Sequence, residues 1–278
     1  MRTMPIEMSN WKPADIQWAR FEPSLVDPDI VKLVKAASMV EYNAMDYAAY
    51  LRKVFAGDPA FQVLALEWAE SEVQHGETLG RWAKLADPDF DHEMSFKKYK
   101  DGYQVPVDVE RSVRGSLTGE LLARCVVETG TSSYYTAIRE ATQEPVLKEL
   151  LRRIAADEWR HYRAFYELSK KYLEKERIGL AGRLRVVAGR VAESQDDELA
   201  YAYYAANATE GPFDRKRYNR AYARRAYALA QPYLLERICA MLFKAAGLRP
   251  QTRLNRIVAK LGYRFMQARA RRLAKQNA

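Results

Sequence analysis

The chain contains few of the residues that interrupt or cross-link a polypeptide. Of its 278 residues, only 2 are cysteine, 13 are glycine and 11 are proline. Two cysteines, Cys125 and Cys239, cannot form a disulfide framework, so a reducing compartment is expected. The scarcity of Gly and Pro favours long, uninterrupted helices over a loop-rich β fold. We therefore expect an all-α protein.

Long apolar runs are also missing. No run approaches the roughly 20 residues that a membrane span requires. Residues 1–18 lack the apolar segment of a signal peptide. Together with the low cysteine content, these absences predict a cytoplasmic protein.

Positive charge is concentrated at one end of the chain. Residues 212–278 hold 17 Lys and Arg but only two acids, Asp214 and Glu236, whereas residues 1–211 carry more acids than bases. Such a segment fits an acidic protein partner, an anionic membrane that the chain contacts peripherally, or a solvated helical face. Nucleic acid is not expected as a partner, because no recognised motif accompanies the Arg and Tyr residues of 215–227.

Apolar residues recur at steps of three and four in four segments, which predicts four amphipathic helices. The segments are 30–55, 61–86, 117–138 and 147–172, with a long polar connection over 87–114. We divide the chain into an irregular arm of residues 1–28, a four-helix bundle of residues 29–178 and a basic helical extension of residues 179–278.

Each predicted helix carries a carboxylate within its apolar face, and two helices add a histidine three residues later. The six residues are Glu41, Glu72, His75, Glu128, Glu158 and His161. Residues i and i+3 of a helix lie on the same side, so both side chains of a Glu-x-x-His pair can reach one point. Carboxylate oxygens and imidazole nitrogens suit iron or manganese. The pattern therefore predicts that these residues hold a pair of metal ions.

The histidines also have a less specific interpretation. A single histidine on an apolar face is more often an ordinary core residue than a metal ligand. Here, two of the three histidines follow a glutamate by three positions, and unpaired buried charges would be costly to fold. The third, His92, lies in a polar segment and is expected to be exposed.

The order Glu, Glu-x-x-His, Glu, Glu-x-x-His resembles the ferritin-like di-iron carboxylate superfamily. Within it, the segments EVQHGE (72–77) and ADEWRH (156–161), and the threonine three positions after Glu128, are most similar to the soluble acyl-(acyl carrier protein) desaturases. The similarity covers residues 30–175. It implies a ferritin-like four-helix bundle with a long crossover and additional C-terminal helices, in a protein that forms a homodimer.

The resemblance also implies how the ligands divide between the metals. One metal would be held by Glu41, Glu72 and His75, and the other by Glu128, Glu158 and His161. Glu72 and Glu158 would bridge the two. Two Fe ions are implied, with a Mn/Fe pair as the alternative.

Neighbouring residues receive roles from the same resemblance. Thr131 would lie on the oxygen-binding side and help to deliver protons, or else merely ease a helix contact. Asp157 would orient a ligand histidine, or else be a surface acid. Ser71 stands where the family often carries a second acid, and this departure weakens any transfer of substrate type.

The implied activity is that of a di-iron, O2-dependent oxidoreductase that desaturates a carrier-bound acyl chain. An acyl carrier protein or acyl thioester would be the substrate, and a ferredoxin-type protein the electron donor, since no nucleotide-binding fingerprint is visible. The alternatives are a hydroxylase, an N-oxygenase, a peroxide reductase, an iron-binding or storage protein, and a structural or membrane-adaptor protein. Apolar residues near the ligands would line an acyl channel or form ordinary core: Trp68, Leu121, Cys125, Tyr135 and Phe165.

Overall fold

The computed structural model describes residues 7–193 and 197–275, and these ranges contain helices and irregular segments without a β-strand. The all-α prediction is therefore confirmed for the described part of the chain. The α-helices are α1 (Pro28–Tyr42), α2 (Ala44–Val54), α3 (Pro59–Ala86), α4 (His92–Gly102), α5 (Leu117–Ala141), α6 (Pro145–Glu176), α7 (Leu180–Glu193), α8 (Asp197–Asn207), α9 (Arg215–Ala228), α10 (Pro232–Ala246) and α11 (Arg253–Lys275).

Acid-proline pairs set the starts of three long helices. Asp27, Asp58 and Glu144 precede α1, α3 and α6, and the side chain of each accepts hydrogen bonds from two backbone N–H groups of the first turn. Proline at the first helical position costs nothing there, because its missing N–H would have had no partner within the helix. Glu144 is fully buried and also accepts a 2.7 Å hydrogen bond from the indole of Trp82, which ties α6 to α3.

Two segments differ from the expectation. The periodic run of residues 30–55 is divided at Asn43, whose backbone N–H bonds to the Val40 carbonyl in a tighter turn and whose side chain accepts from Lys100 at 3.1 Å. The polar connection over 87–114 contains α4, which Asp91 caps. Apolar periodicity did not reveal α4, because it buries only Tyr99 fully.

The four longer helices of the first 176 residues enclose the core. α1 packs against α3, α5 packs against α6, and α3 contacts α6. Their apolar faces contribute to two large clusters of buried side chains. The residues between 7 and 27 form three short 3-10 turns, and from this segment Met8, Trp11 and Ile16 are buried in the same clusters.

The C-terminal helices pack on this core. α8 contacts α1, and both α7 and α10 contact α5. The Tyr162 hydroxyl of α6 donates to the Met241 carbonyl of α10 at 3.0 Å, and Arg237 of α10 donates to the Ser133 hydroxyl of α5 at 3.2 Å. α11 packs on α9 and α10. Among the described residues, no helix has both the length and the apolar character needed to cross a bilayer.

Candidate metal centre

Four helices bring the six predicted ligands together in the interior. α1 supplies Glu41, α3 supplies Glu72 and His75, α5 supplies Glu128, and α6 supplies Glu158 and His161. None of the six is more than 7% exposed. Six buried ionisable side chains at one place require compensation, because burial of an unpaired charge costs several kcal/mol.

The ligands form two groups that share two carboxylates. One group contains Glu41, Glu72, His75 and Glu158, and the other contains Glu72, Glu128, Glu158 and His161. Within each group, one ligand atom per residue lies within 4.8 Å of the others. Glu72 and Glu158 belong to both groups, which is the arrangement that a bridging carboxylate requires.

Several polar atoms in these groups have no hydrogen-bond partner in the described part of the chain. They are both carboxylate oxygens of Glu128, Oε1 of Glu158 and Nδ1 of His161. Three of these atoms do lie near an opposite charge: Glu158 Oε1 is 3.2 Å from His75 Nδ1, and His161 Nδ1 is 3.6 Å from Glu128 Oε2. Buried polar atoms without partners are rare in folded proteins, and a bound water or ion is one explanation for them. A set of four carboxylates and two imidazoles suits iron or manganese. The residues therefore fit a pair of such cations.

Two of the carboxyl groups, Glu41 and Glu128, have raised pKa values. Burial, reinforced by the charges of Glu72 and Glu158, raises the pKa of Glu41 well above its ordinary value. Burial also raises the pKa of Glu128 to about 8, although His161 opposes this shift. Glu41 and Glu128 therefore favour the protonated form at neutral pH when no cation is bound.

The pKa values of both histidines are raised, although burial alone would lower them. Burial alone would lower the pKa of His161, but Glu72 and Glu128 outweigh it and raise that pKa to about 10. The pKa of His75 is raised for similar reasons, by Asp157, Glu158 and Glu72 against burial. Bound protons thus offset the negative charge of the carboxylates, and a divalent cation would have to displace these protons.

Asp157 lies behind His75. Its Oδ2 is 3.1 Å from Nε2 of His75, while Nδ1 of the same ring faces Glu72 Oε2 at 2.9 Å and Glu158 Oε1 at 3.2 Å. Asp157 is fully buried, so it is not a surface acid. By accepting from Nε2–H, the carboxylate directs Nδ1 towards the ligand groups.

Trp11, from the N-terminal segment, contacts both Asp157 and His75. The indole of Trp11 donates to the same Oδ2 of Asp157 at 2.7 Å, and its ring stacks on His75 with centroids 6.2 Å apart. Arg160 contacts the other oxygen of Asp157. The sequence carries no signal for Trp11, because 146 residues separate it from Asp157 and no local pattern connects them.

His161 has a different outer partner. Its Nε2 lies 3.2 Å from the hydroxyl of Ser71, which is buried on α3. A hydroxyl is a weaker acceptor than a carboxylate. The two ligand histidines therefore differ in the group that supports them, with Asp157 behind His75 and Ser71 behind His161.

Thr131 lies between the ligands and the surface. Its hydroxyl donates to Glu158 Oε2 at 2.6 Å. Thr131 is half-buried, and the preceding Gly130 is exposed, with open space beside its Cα. The same hydroxyl also lies 3.2 Å from the backbone carbonyls of Val127 and Glu128 in its own helix.

Tyr135 contacts a ligand directly. Its hydroxyl donates to Oε1 of Glu41, and the ring is buried. Sequence analysis placed Tyr135 among the apolar residues beside the site without predicting this hydrogen bond. A signal was available, because Tyr135 follows Glu128 by seven residues and therefore lies on the same helix face.

The other four residues suggested for an acyl channel are Trp68, Leu121, Cys125 and Phe165, and each is at most 3% exposed. All four belong to one cluster of buried apolar side chains. They pack as core, so an acyl chain could reach the ligands past them only if side chains move.

The expectation that His92 is exposed is wrong. The ring is half-buried and contacts Tyr42 and Phe90 edge-on, with centroid distances of 5.2 and 6.0 Å. It belongs to neither ligand group. The polar sequence around His92 concealed its burial, because that segment forms α4 and packs on the core.

Comparisons with known proteins do not assign a family. No family model matches the chain, and no curated protein matches it either.

Proposed function

We propose that the chain is a ferritin-like di-metal protein that acts as a di-iron, O2-dependent oxidoreductase. The observation that carries the proposal is the sharing of Glu72 and Glu158 by two four-residue ligand groups. A single-metal site would not need two shared carboxylates, and the two buried oxygens of Glu128 form no hydrogen bond among the described residues. The Glu-x-x-His order on α3 and α6 supports the same assignment.

In this proposal, each residue near the ligands has a defined task. Asp157 fixes the orientation of His75, and Tyr135 holds Glu41 through its hydroxyl. Thr131 donates a hydrogen bond to Glu158 and helps to deliver protons there. The surrounding apolar core excludes water from the reacting atoms. A reduced pair of iron ions, when bound, supplies the electrons and coordination sites that activate dioxygen towards an unreactive C–H bond.

The substrate we propose is an acyl chain on a carrier protein or other thioester, with electrons from a ferredoxin-type donor. The support is the similarity of residues 72–77 and 156–161 to the acyl-carrier desaturases, and Ser71 is the residue that departs from it. Hydroxylation, N-oxygenation, peroxide reduction and iron storage use similar ligand sets, so the products must distinguish them. A homodimer and a Mn/Fe pair also belong to this proposal.

The first test is metal stoichiometry. We expect about two iron ions per chain after anaerobic reconstitution with ferrous iron. The double variant Glu72→Ala, Glu158→Ala should bind far less. Its matched control is Glu67→Ala, Glu167→Ala, which removes two exposed glutamates from the same helices and should retain the iron. Equal iron in all three proteins, or no stoichiometric iron in the native chain, would overturn the proposal.

The second test identifies the reaction. The iron-loaded protein is mixed with an acyl carrier substrate, a reduced ferredoxin and oxygen, and the products are analysed by mass spectrometry. A loss of two mass units from the acyl chain would support desaturation, and a gain of sixteen would indicate hydroxylation. Iron taken up far beyond two ions per chain, without substrate oxidation, would instead assign storage.

A further inference from the structure

An apolar stripe is exposed along α11. Leu254, Ile257, Val258, Leu261 and Phe265 are between 39% and 58% exposed. Their spacing of three, four, seven and eleven residues from Leu254 places all five on one face of the helix. Contiguous exposed apolar surface of this kind marks an interaction site, whereas single exposed apolar residues do not.

Basic residues line one edge of this stripe. Arg253, Arg256, Lys260 and Arg264 are exposed, and at 100° per residue they occupy the adjacent sector of the helix. The opposite edge is the face that packs on α9 and α10 through buried residues such as Asn255 and Ala259. α11 thus has a buried face, an apolar face and a basic face.

We propose that α11 binds the surface of an anionic lipid bilayer, lying in the plane of the interface. The apolar stripe would enter the boundary between headgroups and acyl chains, while the basic edge contacts lipid phosphates. Helices that combine an apolar face with Arg and Lys behave in this way. The helix does not meet the requirements for crossing the bilayer, so the contact is peripheral.

The charge of α11 argues against a second copy of the chain as the occupant. The segment Arg253–Lys275 contains eight Lys and Arg and no acid. In a two-fold symmetric dimer, the same patch meets itself, so these cations would face their own copies. Like charges at an interface oppose association, whereas lipid phosphates would neutralise them.

The test is co-sedimentation of the full chain with lipid vesicles. We expect binding to vesicles of phosphatidylglycerol and phosphatidylcholine, much weaker binding to phosphatidylcholine alone, and a decrease as salt is raised. The variant Leu261→Gln, Phe265→Gln should reduce the partition coefficient by about tenfold or more. Because both side chains are more than half exposed, its circular dichroism spectrum should match that of the native chain.

Two further variants make the test specific. Arg256→Gln, Lys260→Gln should weaken binding to anionic vesicles and leave the low binding to neutral vesicles unchanged. Val63→Gln, Met94→Gln removes apolar side chains that are 57% and 62% exposed on α3 and α4, and it should bind as the native chain does. Equal loss in this control would show that binding is not located on α11 and would overturn the proposal.

Other outcomes also contradict the proposal. Absence of vesicle binding would refute it, as would binding that survives Leu261→Gln, Phe265→Gln. Light scattering of the same proteins tests whether a second copy of the chain occupies the stripe. A native dimer that this variant converts to a monomer, without vesicle binding, would assign the stripe to self-association. Complex formation with an acidic carrier protein, lost in the variant while vesicles bind nothing, would assign it to that protein.

Discussion

At the scale of one residue, Glu128 is a buried carboxyl group whose ionisation destabilises the folded, metal-free chain. Its two oxygens are buried and form no hydrogen bond among the described residues, although Oε2 lies 3.6 Å from Nδ1 of His161. Burial raises its folded-state pKa to about 8, against an ordinary value of 4.5. Between these values, the unfolded chain releases the proton and the folded chain keeps it, so this group lowers stability increasingly as pH rises from 4.5 to 8.

Glu128→Gln should therefore stabilise the metal-free protein while impairing metal binding. We expect a gain in the free energy of unfolding of about 1–3 kcal/mol at pH 8, and a smaller gain at pH 5, where the native carboxyl is protonated when folded. Urea unfolding of both metal-free proteins at the two pH values measures the difference. A variant that is less stable than the native chain at pH 8 would contradict the buried-charge account.

The pH dependence of metal affinity follows from the same groups. Glu41 and Glu128 are raised in pKa, and His75 and His161 are also raised, so protons occupy ligand positions at neutral pH. Metal binding must release them, and the apparent affinity should rise about tenfold per pH unit for each proton released. Titration with Mn2+ in weakly buffered solution at pH 6, 7 and 8 measures both affinity and proton release. Affinity that is constant over this range would count against the ligand assignment.

That the six side chains share one place in the interior was predictable from sequence, because helix geometry is local. A glutamate and a histidine three residues apart share a helix face wherever the helix packs, as Glu72 and His75 do. The partners of the ligands were less predictable. Trp11 reaches Asp157 across 146 residues, and only the packing of the N-terminal segment on α6 creates that contact.

At the scale of helices, the close approach of α1 and α3 depends on Gly76. A Cβ at this position would lie 2.5 Å from the backbone nitrogen of Tyr42, which is too close for any rotamer to relieve. Gly76 follows the ligand His75, and Tyr42 follows the ligand Glu41. The contact therefore sets the distance between two ligand-bearing helices.

Gly76→Ala should separate these helices. We expect a loss of about 1–3 kcal/mol in the free energy of unfolding. Binding of the metal assigned to Glu41 and His75 should also weaken, because these two side chains move apart. Gly189→Ala is the matched control. Gly189 is helical and has no neighbour within 4 Å of an added Cβ, so alanine there should stabilise by up to about 1 kcal/mol. Thermal unfolding and metal titration of both variants measure the two effects.

The helices illustrate which boundaries a sequence reveals. Asp58-Pro59 and Glu144-Pro145 stand at helix starts that a sequence can reveal, because capping and proline geometry act within one turn. The break at Asn43 was hidden, since the apolar period continues through it and the interruption involves a contact with Lys100 of α4.

At the scale of the whole molecule, metal removal should lower stability. A cation that binds only the folded chain adds about 2.7 kcal/mol when its concentration is a hundred times the dissociation constant. For a chain of this size, that corresponds to a rise of about 5 °C in Tm. Differential scanning calorimetry with and without a chelator should show this shift for the native chain. In Glu72→Ala, Glu158→Ala, the chelator should change Tm little, and an equal shift would place the stabilising metal elsewhere.

The packing of α10 connects α11 to the helices that carry the candidate metal centre. α10 contacts α11 on one side, while Arg237 and Tyr162 connect it to the ligand-bearing helices α5 and α6 on the other. A protein that rests on a flat surface through α11 would therefore hold its metal centre at one fixed height and orientation. Its search for any partner held at that surface would take place in two dimensions instead of three, and every encounter would begin from the same side.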